Sequence, residues 1–292
     1  MTYVLQILTD GVAQGSMYAL MAIAYAVIQG NLGFVTFGFG DTIMMGAFIG
    51  AYYAFAAFGG NIYMALLSGF IGCWLLGIII ELICYRRWPN GPRQIWLICT
   101  IGFGTTMRSG AQVIFGMDQM FVPDAFTEVW TVGGVRIMAM QTFMILLLCI
   151  LSACIWFFLK KTRTGMQLKA VSMDKKAAAL SGVDVRRIMV LGNSLGCALG
   201  GVSGVLLGIY YNSVFATMGA GVGMKGFAAA VIGGLSSIPG AALGGLLLGI
   251  LENVGVAVTS TGWRDIIAFT LLIFVLLVRP SGLMGRKVGE KI

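Results

Sequence analysis

The sequence predicts an all-α fold: a polytopic membrane bundle of eight or nine segments, with glycine-broken helices arranged in two pseudo-symmetric halves. Three observations carry this. Of 292 residues, 59% are hydrophobic and 10% charged, against about 45–50% and about 25% in a water-soluble domain. The mean hydropathy is +0.93, and the apolar residues lie in continuous runs rather than in the short alternating segments of a barrel. The 43 glycines and five prolines suit helices that pack closely or break inside a bilayer.

Nine apolar runs can be traced: Tyr3–Ile28, Phe34–Phe58, Ile62–Cys84, Ile95–Phe115, Met138–Leu159, Ile188–Tyr211, Val222–Leu235, Ala241–Val258 and Gly262–Val278. Crossing the hydrocarbon takes about 20 residues, or about 17 at the short end. Val222–Leu235 therefore either crosses as a short helix, giving nine segments, or dips in and returns, giving eight. The prolines (Pro89, Pro92, Pro123, Pro239, Pro280) all fall between runs, where a missing amide proton does least harm.

Basic residues set the sidedness. Arg86, Arg87 and Arg93 follow the third run, residues 160–187 hold eight Lys or Arg against two Asp, and Arg279, Arg286, Lys287 and Lys291 follow the last run. All three clusters, and so the C-terminus, are expected in the cytoplasm. The loop 116–135 carries Asp118, Asp124 and Glu128 without a Lys or Arg, as an outer loop should. Nine crossings then put the N-terminus outside.

Several chemistries are excluded. The chain has no histidine, which removes His-based acid–base catalysis and the commonest metal ligand. Its six cysteines lie inside apolar runs without C-x-x-C spacing, as small buried hydrophobes do. There is no G-x-x-x-x-G-K-[ST] run and so no P-loop of the chain's own. The first residues lack a basic n-region and a cleavage site, so no removed signal peptide is expected. Neither a catalytic residue, a metal site nor a nucleic-acid partner is expected.

Glycine-rich interruptions follow the first and sixth runs: "QGNLGFVTFGFGD" (Gln29–Asp41) and "NSVFATMGAGVGMKG" (Asn212–Gly226). Such breaks at corresponding places in two halves are a sequence pointer to a transport pathway; the plainer alternative is a pair of loops at the membrane edge.

The polar stretch 160–187 cannot lie in hydrocarbon, where its eight cations would cost roughly 20 kcal/mol or more. Thr164 and Gln167 have capping-box spacing, Ser172 is placed to cap a second helix with Asp174 in its first turn, and Gly182 is placed to end it. This gives a helix over Met173–Ser181, too short to hold alone in water. Met173, Ala177 and Leu180 share one side, Ala178 and Ala179 leave little bulk, and Lys175 and Lys176 flank them. One reading is a basic helix resting on anionic lipid; the other is a compact plug for a groove on a protein.

"TRTGMQLKAVSMDKKAAALSGVDVRR" resembles the cytoplasmic loop of the LivH-type permeases, the membrane subunits of ATP-binding-cassette importers for branched-chain amino acids. Asp174, Ala178, Leu180 and Gly182 match that pattern, and Lys169 stands where arginine is usual. The likeness runs the length of the chain: "GSMYALMAIAYAVIQGNLGFVTFGFG", "LICTIGF", "MKGFAAAVIGGLSSIPGAALGGLLLGILE" and "LLVRPSGLMG" parallel the family's ordered blocks. It departs at Thr36 and Phe39, where the family has asparagine and histidine in N-F-A-H-G, and at Arg108, where glutamine is common.

The resemblance implies one transmembrane permease domain over residues 1–292, without catalysis or a cofactor of its own, in the inner membrane of a bacterium. Its partners would be a second, non-identical permease, two cytoplasmic ATPases carrying ATP and Mg, an external substrate-binding protein that is periplasmic or lipid-anchored, and membrane lipid. Residues Met173, Asp174, Lys175, Lys176, Ala177, Ala178, Leu180 and Gly182 would form the helix that couples to the ATPases. Thr36, Phe39, Asp41, Met224, Lys225 and Phe227 are the candidate pathway residues at the two breaks. The competing class is an ion-coupled carrier or channel, for which Asp41, Glu252 and Glu81 are the candidate intramembrane acids.

Overall fold

The computed structural model describes residues 2–33, 36–87, 93–126, 128–132, 135–235, 237–279 and 281–285. Pro89, Pro92, Pro280, Arg286, Lys287 and Lys291, together with Phe34 at the head of the second run, lie outside the described residues.

Each of the nine apolar runs is helical over most of its length. α1 (Thr2–Leu32) precedes α2 (Phe39–Gly46), which passes through a π-helical stretch (Ala47–Ala54) into α3 (Phe55–Ala57). α4 (Ile62–Ile80) starts at Asn61, whose side chain accepts from the Tyr63 amide, and runs on as a π-helical turn (Glu81–Tyr85). α5 (Arg93–Phe115) and three short strands follow: β1 (Met120–Phe121), β2 (Val129–Val132) and β3 (Val135–Met138). Then come α6 (Ala139–Lys161), α7 (Arg163–Met173), α8 (Lys175–Leu180), α9 (Val185–Tyr210), β4 (Ser213–Val214) and α10 (Met218–Gly233). α11 (Ile238–Val258) has Ser237 as its cap and proline in its first turn, and a 3₁₀ turn (Thr261–Trp263) leads into α12 (Arg264–Val278).

Among the described residues, six helices are long and apolar enough to cross a membrane: those within Thr2–Gly30, Ile62–Tyr85, Ala139–Lys161, Val185–Tyr210, Ile238–Val258 and Thr261–Val278. α10, at 16 residues, is short. α5 has 23 residues but is not in that set; Thr105, Thr106, Arg108, Ser109 and Gln112 interrupt its apolar character.

The chain forms two compact units, each assembled from separate stretches. One contains Val27–Ala125 and Ala153–Met224. Its centre is α9, which packs along α4 and α2 and is buried almost continuously from Gly192 to Ile209. Asn193 Nδ2 donates to the Gly77 carbonyl at 2.9 Å. The two glycine-rich breaks meet here. A Cβ on Gly40 would run into the Gly219 carbonyl, and one on Gly219 would lie 2.7 Å from the Gly40 carbonyl oxygen. Only glycine at both positions lets the starts of α2 and α10 touch backbone to backbone.

The other unit contains the residues up to Ala26, Phe126–Ser152 and those from Lys225 on. Gly245 and Gly249 of α11 face Ala19 and Gly15 of α1, and α12 packs on α11. β2 and β3 pair as an antiparallel hairpin, and Gln6 both accepts from the Arg136 amide and donates to its carbonyl, each at 2.9 Å.

The bundle is all-α in class, as expected, and two short strand pairs accompany it: β2–β3 lies in and just beyond the acidic loop 116–135, and β1 pairs with β4. Both pairs sit in polar connections, where the strand ladder supplies backbone partners that no helix provides. The loop 160–187 is capped differently from expectation. Thr162, not Thr164, caps α7 by accepting from the Gly165 amide at 3.0 Å. Ser172 caps nothing and donates to the Lys169 carbonyl within α7. Asp174 is itself the cap of α8, accepting from the amides of Lys176 and Ala177 at 2.8 and 3.2 Å. The expected helix Met173–Ser181 is thus Lys175–Leu180, six residues, with Met173 closing α7. An Asp carboxylate outcompetes a Ser hydroxyl because its charge also favours the helix N-terminus.

Candidate functional site

In the unit built around α9, Thr36, Phe39 and Asp41 are all buried. Thr36 and Phe39 line a cavity of about 20 Å³ together with Thr42, Thr100 and Asn193. That volume suits about one water molecule. Thr36 Oγ1 and Thr42 Oγ1 are buried without a hydrogen-bond partner among the described residues.

Asp41 instead holds Arg108. The guanidinium donates from Nε to Oδ1 at 2.9 Å and from Nη2 to Oδ1 and Oδ2 at 2.8 and 3.1 Å. A two-donor grip of this kind is geometrically specific as well as strong. An arginine within a span needs a counter-charge or a route to the membrane edge, and an acid from a different helix satisfies it here. Beside Arg108, Thr105, Thr106, Ser109 and Gly110 line an open hollow on α5 together with Val113 and Ile114. The two threonine hydroxyls donate back to the carbonyls of Ile101 and Gly102 within the same helix. The sequence reading had passed over this face. Its signal was the drop in hydropathy along the fourth run.

In the other unit, Lys225 and Phe227 sit on α10. Lys225 Nζ lies 3.0 Å from Glu252 Oε1 and 2.8 Å from Asp265 Oδ1. Arg264 Nε is 3.1 Å from the same Glu252 oxygen, in ion-pair contact. Glu252 is fully buried; Gln14 Nε2 and the Tyr18 hydroxyl are each 3.4 Å from Oε1, and Oε2 has no hydrogen-bond donor among the described residues. Two cations and two carboxylates from α10, α11 and α12 therefore balance, as buried charges must. Phe227 meets Tyr25 edge-on at 5.9 Å. Met224, in the unit with Asp41, is exposed. The sequence reading took Lys225 and the acids one at a time, whereas the structure makes them a network.

The coupling candidates form a surface feature. Gly182 has φ +82°, the left-handed geometry that closes a helix, and the Val183 amide bonds back to the Ala178 carbonyl at 3.1 Å. Ala178 faces inward and joins a small core with Leu168, Val171 and Ile188. This core helps hold the six-residue helix in place. Leu180 is 91% exposed and Met173 72%, and Ala177 lies exposed beside them. The described residues offer no group of three or more His, Cys, Asp or Glu placed to hold a metal.

Comparison with known proteins agrees with the resemblance. A family model described as "Branched-chain amino acid transport system / permease component" matches residues 7–276. The chain is 35% identical to the high-affinity branched-chain amino acid transport system permease protein LivH of Escherichia coli, over 99% of this chain and 98% of that protein. It is 34% identical to BraD of Pseudomonas aeruginosa, a permease protein of the same description, over the same shares. A shorter likeness, 29% over 42% of this chain and 40% of the other, is to the E. coli ribose import permease protein RbsC.

Proposed function

The chain belongs to the branched-chain amino acid transport system permease family, and from that premise we propose that it is a pore-forming membrane subunit of an ATP-binding-cassette importer. Its cargo is a branched-chain amino acid or a similar small polar solute, delivered by an external binding protein. It works with a second permease and two cytoplasmic ATPases, and ATP and Mg are bound there rather than on this chain. The full-length similarity to permeases so named supports the cargo class.

The observation that carries the mechanism is the exposed apolar end of α8. Leu180 and Ala177 stand on a short helix whose inner side is anchored by Ala178, and Met173 is exposed at the end of α7. Leaving such side chains in water is unfavourable, and their small area makes a weak lipid anchor. They suit a groove on an ATPase, whose closing and opening would move α8 as a rigid peg.

We read the chain as one transmembrane domain of nine helical stretches, with α10 the short one, in two halves whose breaks cross at Gly40 and Gly219. The C-terminus is cytoplasmic. Within the pathway, Asp41 fixes Arg108 beside the hydroxyl-lined face of α5. A partly exposed arginine is costly against hydrocarbon and natural against water. Thr36 and Phe39 support it from behind, and Lys225, with Met224 and Phe227, belongs to the second break. The comparisons do not favour an ion-coupled carrier, and Asp41 and Glu252 are each already matched by cations.

The test is reconstitution. Purified chain, second permease, ATPases and binding protein in proteoliposomes should take up leucine only with ATP inside the assay. A thiol crosslink from Leu180→Cys should trap the ATPase subunit. Uptake that persists without ATPases and follows an ion gradient overturns the proposal.

A further inference from the structure

Beyond the second break and the α5 face, the unit built on α9 contains a cleft of about 490 Å³, within the roughly 300–1,000 Å³ of small-molecule sites. Glu81 and Tyr85 come from the π-helical turn ending α4, Trp96 from the start of α5, Lys175 from the start of α8, and Met189 and Val190 from the start of α9. None of these belongs to the Asp41 or Glu252 groups.

The polarity of the cleft is divided. At its buried pole, Glu81 is 4% exposed and its Oε2 receives no hydrogen bond among the described residues. A buried carboxylate oxygen without a donor is costly, and what satisfies it best is an N–H⁺ group. At the mouth stand Arg86, Arg186 and Arg187, all exposed. Asp184 holds Arg187 at 3.0 Å, while Arg86 and Arg186 form no ion pair among the described residues. Trp96, Met189 and Val190 supply apolar lining. The Lys175 ammonium sits 5.7 Å above the Trp96 ring, which ties the first residue of α8 to this cleft.

A ligand complementary to this pattern carries an ammonium, a carboxylate and an apolar side chain. We propose that the cleft is a second binding site for an apolar α-amino acid, taken up from the cytoplasmic side. The ammonium donates to Glu81 Oε2, the carboxylate meets Arg86 and Arg186, and the side chain packs on Trp96 and Met189. A phosphate headgroup would suit the basic mouth, but the open carboxylate oxygen at the floor repels an anion and calls for a donor. Because Lys175 and the first turn of α9 are walls of the cleft, an occupant braces α8 against α4 and α5. Accumulated cargo then slows the importer from inside. This rests on the cargo reading above.

The test uses the assembled importer in phosphatidylcholine nanodiscs without its external binding protein, with radiolabelled L-leucine as probe. Saturable binding is expected, weakened at least tenfold by Glu81→Gln and by Trp96→Ala, and several-fold by the exposed change Arg186→Ala, which cannot be ascribed to misfolding. Neither 4-methylpentanoate, lacking the ammonium, nor 3-methylbutylamine, lacking the carboxylate, should displace it. In vesicles preloaded with leucine, wild-type uptake should fall several-fold relative to empty vesicles, and the ratio should approach one in the three variants. Equal leucine binding in all variants, no binding at all, displacement by 4-methylpentanoate as good as by leucine, or displacement by phosphatidylglycerol each overturns the site. Loss of ATP-driven uptake in wild type would instead strike the importer reading.

Discussion

Arg108 on α5 grips Asp41 at the start of α2 through both Nε and Nη2, at 2.9 and 2.8 Å from one carboxylate oxygen. Asp41 is almost fully buried, while about a third of the Arg108 side chain is exposed. The pair thus joins the glycine-broken segment to the polar face of α5. Removing one partner of a buried pair leaves a charge uncompensated, at about 3–5 kcal/mol. Arg108→Ala and Asp41→Ala should each lower the thermal stability of the purified protein by that order, and the double variant should lose less than the two losses added together. Additive losses would show that the pair is not coupled.

Glu252 serves two cations. Glu252→Gln should therefore be more damaging than Lys225→Met, because the first strands Arg264 and leaves Lys225 with Asp265 alone, while the second leaves Glu252 with Arg264 and Tyr18. A loss of several kcal/mol is expected for Glu252→Gln, read as a lower melting temperature in detergent and lower yield in the membrane. Equal effects of the two variants would contradict the network.

The polar face of α5 should meet water. In a background without native cysteines, Ser109→Cys should react with a charged, membrane-impermeant thiol reagent, and reaction should block uptake. Leu146→Cys, exposed on the apolar helix α6, should react only with a membrane-permeant reagent. A Ser109→Cys that behaves like Leu146→Cys would place this face in lipid.

Helix α8 depends on two local devices. Asp174→Ala removes a cap worth about 0.5–2 kcal/mol, and Gly182→Ala puts a side chain at positive φ, at about 1–2 kcal/mol. Both should leave the protein folded yet let ATP hydrolysis run without uptake. Leu180→Ala, at an exposed position, should weaken ATPase association while stability stays within about 0.5 kcal/mol. Full coupling in all three would remove α8 from the mechanism.

Phe39→His acts differently from what the sequence suggests. Phe39 is buried, with its ring pressed against Gly200, so the substitution should cost stability by placing a polar ring in an apolar site. A change of substrate preference at unchanged melting temperature would contradict this placement.

The membrane-spanning runs could be read directly because continuous apolar sequence has few alternatives to a helix in lipid. The end of α8 was legible at Gly182 for the same kind of reason: one residue type fits one backbone geometry. Its start was not, because Ser172 and Asp174 both have capping chemistry and lie two residues apart, and the folded loop has Asp174 accepting from the Lys176 and Ala177 amides. At the candidate site, Asp41 and Lys225 could be named singly as charges that hydrocarbon would not tolerate. Their partners Arg108, Glu252 and Asp265 lie 67, 27 and 40 positions away, and no local pattern links them.

By itself the sequence determined the class of solvent, the helical spans, the basic loop 160–187 and the family likeness, since composition and residue order fix each of these locally. Only the tertiary structure decided which charges neutralise one another, that the two breaks touch at Gly40 and Gly219, that Thr36 and Phe39 are enclosed, and that Glu81 opens onto a cleft. The reason is physical. Charge pairing and burial depend on distances between segments remote in sequence, and those distances are set by how whole helices pack.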